Sequence, residues 1–317
     1  MFTDGLECLQ QLSSVLDARK RKSCVITQIK QEPRLIAVVR RMVKDENDRW
    51  LRLLEAQCLF QKLYAQESPL GGGSAVALHL GHRLSYDADY LVANLKSGFA
   101  ELLDRLEADP DWVTARTQSG KIILGNFQGV ETGLRQLIRT RPIETCRIET
   151  PFGDIIVPTQ ADLLRMKSWM ILVRNMTRDY VDFAALVDAM GEAQSSEVLA
   201  SLDTYYSDVY QGRLRKEASP VAQILKQLMD PRPADLDRVD LSIYKGLAPA
   251  YQDWSRIATI CHQTGMLLVQ RIQQSPATTL EDPSLPSQNN SDRTASPRKT
   301  QKPCPQNPEN DEGATPR

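Results

Sequence analysis

Three consecutive glycines, a short apolar segment and an acidic pair are the feature that most constrains how this chain can fold. The stretch reads SPLGGGSAVALHLGHRLSYDADYLV and runs from residue 68 to residue 92. Glycine tolerates the backbone angles of a tight turn, and Ser74 to Leu84 is typical of a short helix that follows one. Tyr86 to Val92 alternates polar and apolar side chains, which predicts a strand with Asp87 and Asp89 on one face.

The glycine turn and the two aspartates together suit a triphosphate group bound with a divalent cation. Free N–H groups at a helix start point at anions, and the helix dipole favours negative charge there. Two carboxylates about 7 Å apart along a strand can hold Mg²⁺ together with substrate phosphates. A Walker loop is excluded because no Gly-Lys-Ser/Thr follows, and a dinucleotide fingerprint counted from Gly71 and Gly73 meets Val76 where a small residue is required. Taken singly, each half also fits a simple linker or a solvated strand edge.

Patterns around this stretch predict an α+β chain. Helices are expected at 47–63 and 97–108, and hairpin turns at 119–120 and 152–153. Five strand-like segments follow the second helix, at 112–118, 121–127, 133–139, 145–150 and 154–158. These segments predict a mixed or antiparallel sheet with flanking helices. Beyond them, Thr159 and Thr177 are expected to cap two helices, Gly191 to end the second, and further helices at 192–208, 220–229 and 248–274 to complete a helical lobe.

Composition divides the chain further and limits its partners. We expect a weakly ordered leader at 1–45, a catalytic domain at 46–158, a helical C-terminal lobe at 159–274 and a proline-rich disordered tail at 275–317. Lys plus Arg number 39 against 40 Asp plus Glu, so overall charge demands neither nucleic acid nor a membrane as partner. The six cysteines form no C-x-x-C pair, and no apolar run approaches the roughly 20 residues of a spanning helix. A cytoplasmic protein with reduced thiols is expected.

The spacing of glycines and aspartates resembles the signature of the nucleotidyltransferase superfamily. More narrowly, GGSAVALHLGHRLSYDADYL is similar to the GGTAL…R.S.D.D block of the AbiEii/AbiGii family, bacterial toxins of abortive-infection and toxin–antitoxin systems. The residues at the matching positions are Gly72, Gly73, Ser74, Ala75, Arg83, Ser85, Asp87 and Asp89.

A second block, ADLLRMKSWMILVRNMTRDYVDFAAL, resembles the lysine helix and R-D-x-x-D segment of the same family. The matching residues are Lys167, Arg174, Arg178, Asp179 and Asp182. The stem of Lys167 could cross apolar surface and bring its ammonium to the phosphates. Asp179, in the first turn of the next helix, is preferred over Asp182 for orienting Lys167 or the attacking group. An ordinary amphipathic helix with snorkelling cations is the alternative.

The resemblance implies a nucleotidyltransferase-like mixed sheet and an enzyme that moves a nucleotidyl group from an NTP to an RNA, tRNA or protein acceptor, with Mg²⁺ or Mn²⁺. It assigns the metal to Asp87 and Asp89, catalysis to Asp87, Asp89, Lys167 and Asp179, and nucleotide binding to Gly72, Gly73, Ser74, Arg83 and Ser85. A cognate antitoxin is implied by the family alone.

Several alternatives stay open at this point. The chain could be a catalytically inactive binding protein of the same fold, or a housekeeping transferase that is not a toxin. Asp154 is a candidate third carboxylate, although its place after Gly153 also suits a turn. His79 and His82 are three residues apart but lack the further ligands that zinc requires.

Overall fold

The computed structural model describes residues 33–213 and 219–274, and side chains over 47–210 and 219–274. The predicted tail and residues 1–32 of the predicted leader lie outside the described residues. The described helices are α1 Pro33–Tyr64, α2 Gly72–Leu80, α3 Leu95–Glu107, α4 Gln160–Arg174, α5 Thr177–Met190, α6 Glu192–Ala200, α7 Leu202–Arg213, α8 Pro220–Met229 and α9 Trp254–Gln274. The described strands are β1 Asp87–Val92, β2 Trp112–Gln118, β3 Ile122–Phe127, β4 Val130–Gln136, β5 Thr145–Thr150 and β6 Gly153–Pro158.

The strands form a mixed four-stranded sheet and a separate hairpin. The order in the larger sheet is β1-β4-β3-β2, with β1 parallel to β4 and the other pairs antiparallel. The β5–β6 pair is antiparallel. The predicted α+β class with a mixed sheet and flanking helices is therefore confirmed.

One face of the larger sheet is buried by an aromatic cluster. The ring of Phe60, on α1, lies 5.2 Å from the rings of Tyr90 and Phe127 and 5.9 Å from that of Trp112. Ala88, Tyr90 and Val92 of β1 are buried, while Asp87 is exposed and Asp89 half-buried. The predicted alternation along β1 is confirmed, and it leaves the aspartates on the open face.

Helix α1 begins earlier than the sequence predicted. Its first residue is Pro33, 14 residues before the expected start at Asn47 and inside the predicted leader. Proline fits the first turn of a helix, and most of the residues that follow are good helix formers, so the break expected from their irregular apolar spacing does not occur.

Helix α2 ends earlier than predicted. Gly81 adopts the left-handed conformation, with φ 58°, and its N–H donates to the carbonyl of Ala77. This is a common helix stop. The short predicted helix is present, but its predicted end at Leu84 is wrong. The residues after Gly81 form an irregular connection that carries His82 and Arg83 toward α5.

Strand β4 is displaced from the predicted segment at 133–139. Gln128 and Gly129 both have positive φ and close the β3–β4 hairpin, so the strand starts at Val130. The strand ends at Gln136, one backbone bond from Leu137 to Val92 follows it, and the chain then reaches α4, where buried Arg139 donates to Asp162 at 2.6 Å.

The helical part largely follows its sequence signals. Thr159 caps α4 by accepting from the N–H of Asp162, and Gly191 ends α5, both as predicted. The expected cap at Thr177 is wrong by one residue, since Met176 holds that position and Thr177 donates its N–H and hydroxyl to Asp235.

Two further helix limits also differ from the prediction. The helix predicted at 192–208 is divided at Ser201 into α6 and α7, and α9 starts at Trp254 because Pro249 begins a separate short turn. None of the described helices combines the length and apolar character needed to cross a membrane.

Candidate functional site

The short segment that ends at the first of the three glycines is hydrogen-bonded to both sheets. We call Pro69–Gly71 the seam. The N–H of Leu70 donates to Ile156 of β6 at 2.9 Å, the N–H of Gly71 donates to the carbonyl of Asp89 at 2.7 Å, and Leu91 donates back to Pro69 at 3.1 Å. The start of α2 is thereby fixed at the edge of β1.

The start of α2 lies directly beside Asp89. Gly72 has φ 67°, and a Cβ built on it would be 4.0 Å from the Cβ of Asp89. The first N–H groups of a helix have no acceptor within the helix, so those of α2 are available to an anion at this position. The predicted neighbourhood of glycine turn and aspartate is present.

Gly73 is required by close packing rather than by its own angles. A Cβ at this position would overlap the guanidinium of Arg83 and press on the hydroxyl of Ser85. The absence of a side chain lets Arg83 pass directly under the first turn of α2. Gly73 therefore brings the glycine turn into direct contact with the charged groups beneath it.

The two predicted serines hold Asp87. Ser85 donates its hydroxyl to Oδ1 of Asp87 at 2.7 Å, and Ser74, which is buried, donates to the backbone carbonyl of Asp87. Both hydroxyls are thus engaged in positioning the exposed carboxylate of the first aspartate.

Asp89 leans toward β4. Its Oδ1 accepts from Nε of Arg135 at 2.8 Å. Gly133 is its partner in the β1–β4 register, and a Cβ on Gly133 would overlap the same Oδ1. The carboxylate therefore fills the space that a side chain on β4 would occupy.

Glu131 is a further acid on this face, which the sequence analysis missed. It is the register partner of Asp87, and paired residues on neighbouring strands share a face. Its alternation with buried Val130 and Thr132 is visible in the sequence, but the neighbouring strand is not. Asp154, the earlier candidate, lies on β6 and lines a cavity of about 380 Å³ with Lys62 and Arg147.

The acidic pair, Asp87 and Asp89, suits a hard cation that shares its ligands with a substrate. Within the part of the chain that the structure describes, no three His, Cys, Asp or Glu side chains are grouped so that they could hold a metal ion by themselves. Mg²⁺ commonly takes only one or two carboxylates and completes its shell with phosphates and water. Two solvent-reachable carboxylates on one face fit that mode.

Beneath the turn, Asp182 of α5 collects four donors. It accepts from Nε and Nη2 of Arg83 at 2.7 and 3.0 Å, from Nε2 of His82 at 2.8 Å, and it pairs with Nζ of Lys167 at 2.7 Å. Its side chain is fully buried. The two sequence blocks therefore meet on one carboxylate.

Asp179 is bound mainly by a different cation. Arg174 donates to both of its oxygens at 2.6 Å, while Lys167 is 3.8 Å away. Asp179 is fully buried and the side chain of Arg174 is 32% exposed. We call Arg83, Lys167, Arg174, Asp179 and Asp182 the buried ion cluster.

Burial and charge act in opposite directions on the central groups of this cluster. Burial by itself would raise the pKa of Asp182, but Lys167 and Arg83 outweigh it and hold that pKa well below its ordinary value. Burial lowers the pKa of His82, against the opposing effect of its bond to Asp182. His82 is therefore neutral at pH 7 and Asp182 charged.

Lys167, which the sequence analysis assigned to the phosphates, contacts a buried carboxylate instead. Lys167 is only 4% exposed and points at Asp182, so its nearest acid is the one that the sequence analysis ranked second. Arg83, assigned to the nucleotide, is equally committed to Asp182. His79 is separate from His82 and borders a cavity of about 640 Å³ with Cys146.

Comparison with known proteins gives distant or partial similarities. No protein-family model matches the chain, so the AbiEii/AbiGii resemblance stays a prediction. Among solved structures, the chain is similar to an antigenic nucleotidyltransferase-like protein from Paracoccidioides brasiliensis, with 16% identity, a TM-score of 0.34, and coverage of 56% of this chain and 92% of that one. It is also similar to the antibiotic-resistance factor ANT(2'')-Ia, with 10% identity, a TM-score of 0.37, and coverage of 51% and 95%.

Part of the chain is also similar to stretches of much longer proteins. It is 34% identical over 134 residues to the mycolic acid-containing lipids exporter MmpL11 of Mycolicibacterium smegmatis, which is 42% of this chain and 13% of that protein. It is 41% identical over 99 residues to the heme uptake protein MmpL11 of Mycobacterium tuberculosis H37Rv, which is 31% and 10%. The chain thus spans about an eighth or less of the curated relatives it matches.

Proposed function

We propose that this chain transfers a nucleotidyl group from an NTP to an acceptor, with a divalent cation held by Asp87 and Asp89. The observation that carries the proposal is the position of the α2 start, whose free N–H groups lie beside Asp89 while Asp87 is exposed on the same strand face. Anion donors and cation ligands are thereby adjacent, as a metal–triphosphate complex requires.

The chain's own groups divide the work in this proposal. The N–H groups after Gly72 hold the phosphates, and Ser85 keeps Asp87 in place. When bound, Mg²⁺ neutralises phosphate charge and aligns the reacting oxygens. Arg174 is the most exposed cation of the buried ion cluster. Burial would lower the pKa of its guanidinium, but Asp179 outweighs burial and raises that pKa, with smaller contributions from Asp182 and Asp89. Arg174 is therefore suited to contact the nucleotide, whereas Lys167 positions Asp182.

A narrower proposal rests on the resemblance of both blocks to AbiEii/AbiGii. The chain then acts as the toxin of an abortive-infection or toxin–antitoxin system, its acceptor is RNA, tRNA or a protein, and an antitoxin is its partner. A binding protein without catalysis and a housekeeping transferase remain the rivals.

Label transfer tests the proposal directly. The full chain is incubated with each α-labelled NTP, Mg²⁺ or Mn²⁺, and total RNA, beside Asp87→Asn, Asp89→Asn and the matched control Asp154→Asn. A lost metal contact of several kcal/mol corresponds to a rate at least about 100-fold lower, so we expect this loss in the first two variants and none in the control.

Each result has a defined consequence. If no label is transferred from any NTP, the enzyme hypothesis is wrong. If the chain binds a nucleotide but transfers no label, it is a binding protein without catalysis. Transfer that is equal in wild type and in both variants moves the site elsewhere. If wild type transfers label but its expression leaves growth unchanged, the toxin hypothesis is wrong and the chain is a housekeeping transferase.

A further inference from the structure

The open face of the sheet supplies a cation to the acidic pair from within the chain. Arg135 on β4 is the register partner of Leu91 and lies two residues beyond Gly133, so its guanidinium reaches back to Asp89. The Nε–Oδ1 distance is 2.8 Å. The contact joins the strand that carries the aspartates to its parallel neighbour.

The backbone favours this pairing. Gly133 leaves room for the carboxylate of Asp89 to lie over β4, where Arg135 meets it. Asp87 is turned to a different partner, the hydroxyl of Ser85. The two carboxylates therefore each have a partner of their own.

The pair differs from the ion pairs below it in exposure. The side chains are 40% exposed for Arg135 and 27% for Asp89, whereas Asp182 is fully buried among its donors. Exposed pairs contribute little to stability because water and salt screen them. The Asp89–Arg135 contact is therefore one that a competing cation can exchange.

A guanidinium and a divalent cation compete for the same oxygen. We propose that Arg135 is the resident counter-ion of the acidic pair, and that a divalent cation binds by displacing it from Asp89. The proposal rests on the proposed function, because it takes Asp87 and Asp89 as the cation ligands.

Mn²⁺ binding without nucleotide tests this exchange. The full chain is titrated with Mn²⁺, and the bound fraction is read from water-proton relaxation enhancement. Removal of the competitor in Arg135→Gln is expected to tighten Mn²⁺ binding by about twofold to about fivefold, the range that a half-exposed ion pair contributes to an equilibrium. Arg135→Lys keeps a competing charge and is expected to bind Mn²⁺ nearly as wild type does.

Arg116→Gln is the matched control. Arg116 is on the same face, since it pairs with Leu124, which pairs with Gly133. Arg116 lies three strand spacings from Asp89, or about 14 Å. The substitution Arg116→Gln removes the same positive charge from the chain as Arg135→Gln does. Screening at physiological salt leaves little interaction at that distance, so its Mn²⁺ affinity should equal that of wild type.

Unchanged or weaker Mn²⁺ binding in Arg135→Gln overturns the proposal, and so does equal tightening in Arg116→Gln. Failure of the proposed function has a different pattern. In that case Asp87→Asn and Asp89→Asn bind Mn²⁺ as wild type does, whereas failure of the Arg135 role alone leaves binding dependent on both aspartates.

Discussion

Among substitutions in the buried ion cluster, we expect Asp182→Asn to lower the free energy of unfolding most. The change removes a fully buried negative charge that receives two bonds from Arg83, one from His82 and a contact from Lys167. Both cations then remain buried without their main partner. Loss of one member of a buried pair costs about 3–5 kcal/mol, and the upper part of this range applies because two cations share the carboxylate.

Urea unfolding followed by circular dichroism measures this loss. The upper part of that range is about 4–5 kcal/mol. With an m value near the middle of the usual range of about 1–3 kcal/mol per molar urea, the midpoint should fall by about 2–2.5 M. Asp154→Asn is the matched control, because its carboxylate is exposed on β6, and surface changes usually stay within about 0.5 kcal/mol.

A double substitution separates charge from packing. Lys167→Met removes one of the stranded cations, so Asp182→Asn should cost less in that background than in wild type, by at least about 1 kcal/mol. A loss below about 1 kcal/mol for the single variant, or additive losses in the pair, would refute the reasoning that the cluster is held by buried charge.

Three further predictions follow from contacts described above. Gly73→Ala places a methyl group against the guanidinium of Arg83 and should cost about 1–3 kcal/mol in urea unfolding, as overpacking does. Gly133→Ala pushes the carboxylate of Asp89 off β4 and should slow label transfer by about 100-fold, the effect of a displacement near 1 Å; an unchanged rate would contradict it. Burial lowers the pKa of His82, so the unfolded chain takes up a proton first and stability is lost as pH falls through about 6.5. In His82→Gln the urea midpoint should therefore fall less between pH 7.5 and pH 5.5 than it does in wild type.

Local signals were sufficient for much of the architecture. The cap at Thr159, the stop at Gly191 and the alternation of β1 depend on residues close together in the chain, and the structure confirms each of them. Where a local signal met a long-range contact, the contact decided. Thr177 gives its hydroxyl to Asp235, 58 residues away, and so does not cap α5.

Partners across the sheet and between the two blocks could not be read from the sequence. Periodicity assigns Asp87 to a face but does not say that β4 lies beside it, so Glu131 and Arg135 were missed. Asp179 and Asp182 share one side of α5 but have different partners. Asp179 is bound by Arg174, five residues before it, whereas Asp182 is bound by Arg83, 99 residues away. The sequence contains no local signal that the nearest acid to Lys167 is Asp182 rather than Asp179.

The seam at Pro69–Gly71 determines how a ligand would meet the glycine turn. Its backbone is bonded to β1 and β6 at once, so the turn is ordered in advance and cannot act as a flap that closes over a ligand. Ordering a loop on association subtracts from affinity, and that loss is absent here. Amide hydrogen exchange at Gly71 and Leu91 should be as slow as in the sheet core, with or without ligand.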